Sequence, residues 1–199
     1  MKRMLLIAAL VAALIPVAQA QVEIGAAAPA FTLPDTRGGT HRLSDFAGKV
    51  VVLEWTNPDC PFVKKHYGPK NMQGLQAKYT AQGIVWLSIC SSAPGKQGNY
   101  GANDWNQILA DQGSAATALL LDPEGTAGRA YGAKTTPHLF VIAADGTLAY
   151  AGAIDDQPSF NPDDIPGARG YLAEALEAVL AGQPVPLAKT QPYGCSVKY

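Results

Sequence analysis

Cysteine is scarce in this chain: three in 199 residues, at Cys60, Cys90 and Cys195. Three is too few for a disulfide scaffold, and an odd count leaves one thiol over if two pair. Charge is sparse as well. Lysine and arginine number 15 against 16 acidic residues, a net charge of −1, which offers no cationic face to nucleic acid or an anionic membrane. No apolar run long enough to span a bilayer occurs beyond the first 20 residues, and no internal repeat or long low-complexity tract is present.

The N-terminus is the exception to this even composition. Met1 to Arg3 carry two positive charges, Met4 to Val17 are almost wholly apolar, and Ala18-Gln19-Ala20 is a small-x-small cleavage signal. That plan is a secretory signal peptide, because the apolar core falls short of the ~20 residues a membrane span needs and Pro16 interrupts it. The reading divides the chain into a leader over 1–20, one domain over 21–185 and a tail over 186–199 that carries Cys195. Cleavage near Ala20 predicts an exported protein, periplasmic or extracellular, whose mature form does not span the membrane.

Periodicity orders the domain. Short strands are expected near Phe31 to Leu33 and Thr40 to Leu43, around an Arg37-Gly38-Gly39 turn. Val50 to Trp55 and Ile84 to Cys90 are continuous apolar runs, expected as strands buried on both faces. Between them a helical turn starts near Pro61, and Met72, Leu75 and Tyr79 share a helix face. A helix around Trp105, a strand at Leu119 to Leu121, a hairpin turning at Asp145-Gly146 and a final amphipathic helix from Tyr171 to Val179 follow. A βαβ unit, a helix, a hairpin and a helix predict an α/β protein: a thioredoxin-like three-layer α/β/α sandwich with a central mixed sheet. Its βαβ unit puts Cys60 and Cys90 at the same sheet edge, where open α/β sheets place their sites.

Chemistry concentrates on Cys60. At a helix N-terminus, with Pro61 at the first helical position and Lys64 and Lys65 following, a thiolate is favoured and the pKa is expected to fall. Pro58-Asp59 and Pro61 describe an exposed loop tip, which argues against an inert buried thiol. A dithiol enzyme would carry a second cysteine where Val63 stands.

Three stretches, "NPDCPFVK", "DPEGTAGRAYGAKTTPHLFVIAADGTLAYAGAIDD" and "YGCSVKY", together resemble a peroxiredoxin-like branch of the redoxin (AhpC/TSA) group in the thioredoxin superfamily. The resemblance covers nearly the whole chain after the leader. It implies that Cys60 matches the first cysteine of a thioredoxin motif, that Pro137 is a cis-proline lying against it, and that Gly194-Cys195 belongs to the motif. It also implies a substrate-positioning role for Thr136, Pro137 and Trp55. The chain departs from true peroxiredoxins, which use P-x-x-x-T/S-x-x-C. Leu53 and Asn57 stand where that proline and threonine would be.

The expected function is an exported thiol–disulfide oxidoreductase with Cys60 as nucleophile and Cys195 as resolving cysteine. Cys90 remains as a third thiol and alternative partner, and a permanent Cys60–Cys195 staple remains open. Expected partners are a thiol or disulfide protein, or a small-molecule oxidant, and an exported reductant. Alternatives are a thiol peroxidase, or a copper carrier. No cofactor is expected for the first two; the carrier would draw ligands from Cys60, Cys195, His66 and His138.

Overall fold

The structure is a computed structural model that describes residues 22–199, so the expected leader lies outside the described residues. A hairpin of β1 (Thr32–Pro34) and β2 (Thr40–Arg42) leads into the domain. Its turn is held by Asp35, whose Oδ1 accepts the N–H groups of Arg37 and Gly39 at 2.8 and 2.7 Å.

The central sheet is built outward from β3 (Val51–Trp55), every residue of which is buried. The helices α1 (Pro61–Tyr67) and α2 (Asn71–Thr80) connect it to β4 (Val85–Cys90), which pairs parallel with Val51 opposite Val85. After α3 (Ala102–Gln112), β5 (Ala118–Leu121) adds in parallel at one edge. The chain then crosses by α4 (Thr126–Tyr131) and the two-residue β6 (Thr135–Thr136) to the far side of β3. There β7 (His138–Ile142) and β8 (Leu148–Gly152) form an antiparallel hairpin, completing the order β5-β4-β3-β7-β8. The last helix is α5 (Tyr171–Leu180) and the last strand β9 (Cys195–Ser196).

The period-two alternation of the strands separates two cores. Leu53, Trp55, Leu87, Ile89 and Phe140 face one side with Tyr131 of α4. Val52, Trp86, Leu139 and Val141 face the other with Val63, Met72, Tyr79 and Leu176 from α1, α2 and α5. The expected mixed-sheet sandwich is the observed architecture. Among the described residues no helix is long and apolar enough to cross a membrane.

Two elements were not legible in the sequence. The short helix α4 lacks an apolar repeat; its start is fixed by Asp122, whose carboxylate accepts the N–H groups of Ala127 and Gly128 at 3.3 and 2.9 Å. The tail, which shows no periodic pattern of its own, is laced to the domain. Residues 188–190 run beside β8, with Ala151 N–H to Ala188 O at 3.0 Å and Thr190 N–H to Ala151 O at 3.2 Å. β9 then pairs antiparallel with β6, Thr136 facing Cys195. At the very end Tyr199 donates to Ala133 O at 2.9 Å, and the Arg129 guanidinium stacks over its ring at 4.4 Å.

Candidate active site

The site forms where β3 ends and the chain turns into α1. Asn57 shapes that turn: its Oδ1 accepts the Asp59 N–H at 3.0 Å and its Nδ2 donates to Gln97 O at 3.2 Å. Cys60 is thereby set as the N-cap of α1, with Pro61 in the first turn, where an absent N–H costs nothing.

Against it lies the Thr136-Pro137 peptide, which is cis. Cys60 Sγ donates to Thr136 O at 3.0 Å. Because β9 pairs with β6 at this residue, the stretch that touches Cys60 also carries Cys195 across to it, close enough for each thiol to shift the pKa of the other. The pairing needs Gly194: its φ is +138°, and a Cβ there would run into Thr136 O.

The two sulfurs are unequal. Burial pushes the Cys60 thiol up, but hydrogen bonds from the Cys195 side chain, Thr136 and the backbone of Cys195 and Val63 outweigh it, so its pKa lies below the ordinary value. The Thr136 hydroxyl is buried without another partner, a donor free to serve the thiolate. Cys195 is pushed up to about 11, first by burial and then by the hydrogen bond and charge of the Cys60 thiolate. Cys60 is 0% exposed and Cys195 half-buried, so the exposed reactive tip expected for Cys60 is corrected. The residue is sealed between α1, Thr136 and the tail.

A buried polar chain clamps that tail two residues before Cys195. Asn71 Nδ2 donates to His66 Nδ1 at 2.9 Å, so the neutral ring carries its proton on Nε2 and offers it to Tyr193 Oη at 3.1 Å. Tyr193 in turn donates to Asp155. Lys65 is also buried; its Nζ donates to Gln157 O at 2.7 Å and lies 3.8 Å from Asp155. The charge expected to assist Cys60 is therefore directed to Asp155. Burial, opposed by Asp155 and assisted by Lys65, lowers the His66 pKa to about 4.

Other expected site residues fall elsewhere. Cys90 packs with Trp105 and Leu119 and donates to Gly98 O at 3.3 Å, and burial raises its pKa. Trp55 lies in the core on the opposite face of the sheet, its Nε1 donating to Ser91 Oγ at 2.9 Å. His138 also lies on that face, its ring tilted against that of Phe140 with centroids 4.3 Å apart. Among the described residues no group of three or more His, Cys, Asp or Glu is placed to hold a metal ion.

Sequence reading passed over Glu54 as one polar residue in an apolar strand. It is fully buried under α1 and accepts from Tyr67 Oη, Trp86 Nε1, Gln76 Nε2 and Ser88 Oγ at 2.7, 2.8, 3.1 and 3.2 Å. Burial outweighs these four donors and raises its pKa. The signal was present: an acid in a strand buried on both faces demands donors from its neighbours.

Comparison with known proteins agrees with this geometry. The family described as the AhpC/TSA family matches residues 24–151. The chain is similar to the thiol-disulfide oxidoreductase ResA of Geobacillus thermodenitrificans, 28% identical over 128 residues that cover 64% of this chain and 67% of the relative. An uncharacterized conserved protein from Geobacillus kaustophilus superposes with a TM-score of 0.78 at 26% identity, covering 90% of this chain and 93% of that one. A hypothetical protein from Sinorhizobium meliloti shares the fold, with a TM-score of 0.75 at 24% identity and coverage of 90% and 96%.

Proposed function

The chain belongs to the AhpC/TSA family, and from that premise we propose that it is an exported thiol–disulfide oxidoreductase working through Cys60 and Cys195. The observation that carries the proposal is the pair itself: a buried sulfur of lowered pKa at a helix N-terminus, against Thr136, with a half-buried thiol of raised pKa on the strand residue that pairs with Thr136.

With a disulfide substrate, the Cys60 thiolate attacks one sulfur, forms a mixed disulfide and expels the other sulfur with its electron pair as a thiolate. At that moment Cys60 loses its charge. The hydrogen bond and charge that helped raise the Cys195 pKa vanish, so its proton leaves more readily and its sulfur attacks Cys60. The second substrate thiolate departs, and a Cys60–Cys195 disulfide remains. Access requires β9 to lift from β6, because Cys60 is closed off while the strands are paired. In the return step an incoming thiolate meets Cys195, the more accessible sulfur, and Cys60 leaves as the better-stabilised thiolate. An exported dithiol reductant supplies the two electrons. No cofactor is needed, since electrons pass only between sulfurs.

The peroxidase alternative is disfavoured by the residues before Cys60. Asn57 uses both ends of its amide to shape the loop, and Leu53 is sealed in the core. Thiol counting with peptide mapping of the leaderless protein tests the main proposal. Mild oxidation is expected to join Cys60 to Cys195 and leave Cys90 free, and dithiothreitol to reverse it. A bridge to Cys90, or no bridge within the chain, defeats the assignment.

A further inference from the structure

On the face of the sheet turned away from the sulfurs lies a cavity of about 110 Å³, between β7 and residues 189–192 of the tail. Tyr131 and Phe140, edge to face at 5.4 Å, supply aromatic wall. Lys134 and Lys189 flank it, and no aspartate or glutamate lines it. Neither lysine is in an ion pair among the described residues.

His138 gives this space a chemical direction. The residue is 5% exposed, and its Nδ1 accepts the backbone N–H of Lys134 at 3.2 Å. A backbone amide can only donate, so Nδ1 holds a lone pair and the neutral ring carries its proton on Nε2. Burial and the Lys134 charge keep the ring neutral, with a pKa of about 3. Nε2–H has no acceptor among the described residues. Nor is it one of the sealed unpaired polar atoms, which are Gln73 Oε1, Trp105 Nε1 and Thr136 Oγ1. His138 is one of the residues that line the cavity.

We propose that this cavity is a binding site for a small monocarboxylate. The carboxylate accepts from His138 Nε2–H between the two ammonium groups, and its short apolar end rests on Tyr131 and Phe140. Two unpaired cations select an anion, and a neutral donor adds an acceptor requirement. On the side of Phe140 and Tyr131, whose hydroxyl is committed to Pro29 O, no donor meets the further oxygens of a phosphate or sulfate; the polar side chains of the lining, Thr190 and Gln191, belong to the tail side. The room is that of a few waters, which limits the occupant to the size of acetate or propionate. The site stands independently of the thiol chemistry.

The test is a titration of the intact leaderless protein with acetate and with propionate, at ionic strength held constant by chloride. Binding is followed by ¹⁵N chemical shifts of the His138 ring and of the Lys134 and Gln191 amides. Saturable shifts with a millimolar dissociation constant are expected, as befits so few ligand atoms. Lys189→Gln, an exposed position that leaves the core intact, should weaken binding about tenfold by removing one charged partner. Linear shifts without saturation, inorganic phosphate binding as well as acetate, or an unchanged affinity in Lys189→Gln would each overturn the proposal. His138→Asn, if it folds, should abolish the shifts at Lys134 and Gln191.

Discussion

Cys60 differs from the other two cysteines by what surrounds its sulfur. All three are buried or half-buried, and burial alone raises a thiol pKa. Only Cys60 has donors from Cys195, Thr136 and Val63 to reverse that effect. Alkylation rates measured against pH, following each cysteine by mass spectrometry, should therefore give Cys60 the lowest apparent pKa and Cys195 a value near 11. The split depends on the pair. In Cys195→Ser the Cys60 pKa should change less than its accessibility does, because a serine hydroxyl can still donate to the thiolate. A Cys60 that titrates above Cys90 would sink the assignment of the nucleophile.

At the scale of elements, the decisive unit is the two-stranded pairing of β6 with β9. It is only two residues long on each side, too short to hold by itself. Its anchors are on either flank: the Tyr193 clamp on Asp155 and His66 before it, and the Tyr199 packing after it. Gly194→Ala forces a Cβ toward Thr136 O in a backbone conformation that suits glycine, while leaving both sulfurs in place. The expected result is a lifted β9, seen as faster alkylation of Cys60 and Cys195 and a stability loss of ~1–3 kcal/mol. Tyr193→Phe removes the donor to Asp155 and should accelerate the same alkylation by a smaller factor. Unchanged rates in both variants would mean that β9 does not govern access.

Across the whole molecule, buried ionisable groups set the response to pH. His66 and His138 have folded pKa values of about 4 and about 3 against 6.5 for the free side chain. Both are neutral in the fold, so their stabilising contribution is complete above pH 6.5. It is lost as pH falls toward 4 for His66 and 3 for His138, because the unfolded chain takes up protons that the folded chain refuses. Each such proton steepens the decline by about 1.4 kcal/mol per pH unit. Glu54 acts in the opposite sense, since its raised pKa makes the fold bind a proton more tightly than the unfolded chain. Urea unfolding between pH 7 and pH 4 should show net destabilisation on acidification, and His66→Gln should flatten it by about one proton. An equal slope in that variant would show that His66 is not the group being charged.

The sequence by itself determined the parts whose cause is local. Continuous apolar runs placed β3 and β4, Pro61 after Cys60 placed the start of α1, and Asp145-Gly146 placed the hairpin turn, because each depends on neighbours a few residues away. Three stretches taken together also carried the family resemblance, the cis-proline and the relevance of Gly194-Cys195. Only the tertiary structure decided that the tail is bound, that Cys60 is closed rather than exposed, and that Lys65 serves Asp155. It also decided that Cys90 and Trp55 lie apart from the sulfur pair, and that Glu54 gathers four donors. The physical reason is range: Asp155 meets Tyr193, Thr136 meets Cys195 and Glu54 meets Trp86 across long stretches of chain. No local pattern in the sequence encodes such contacts, because their energies exist only once the sheet has brought those segments together.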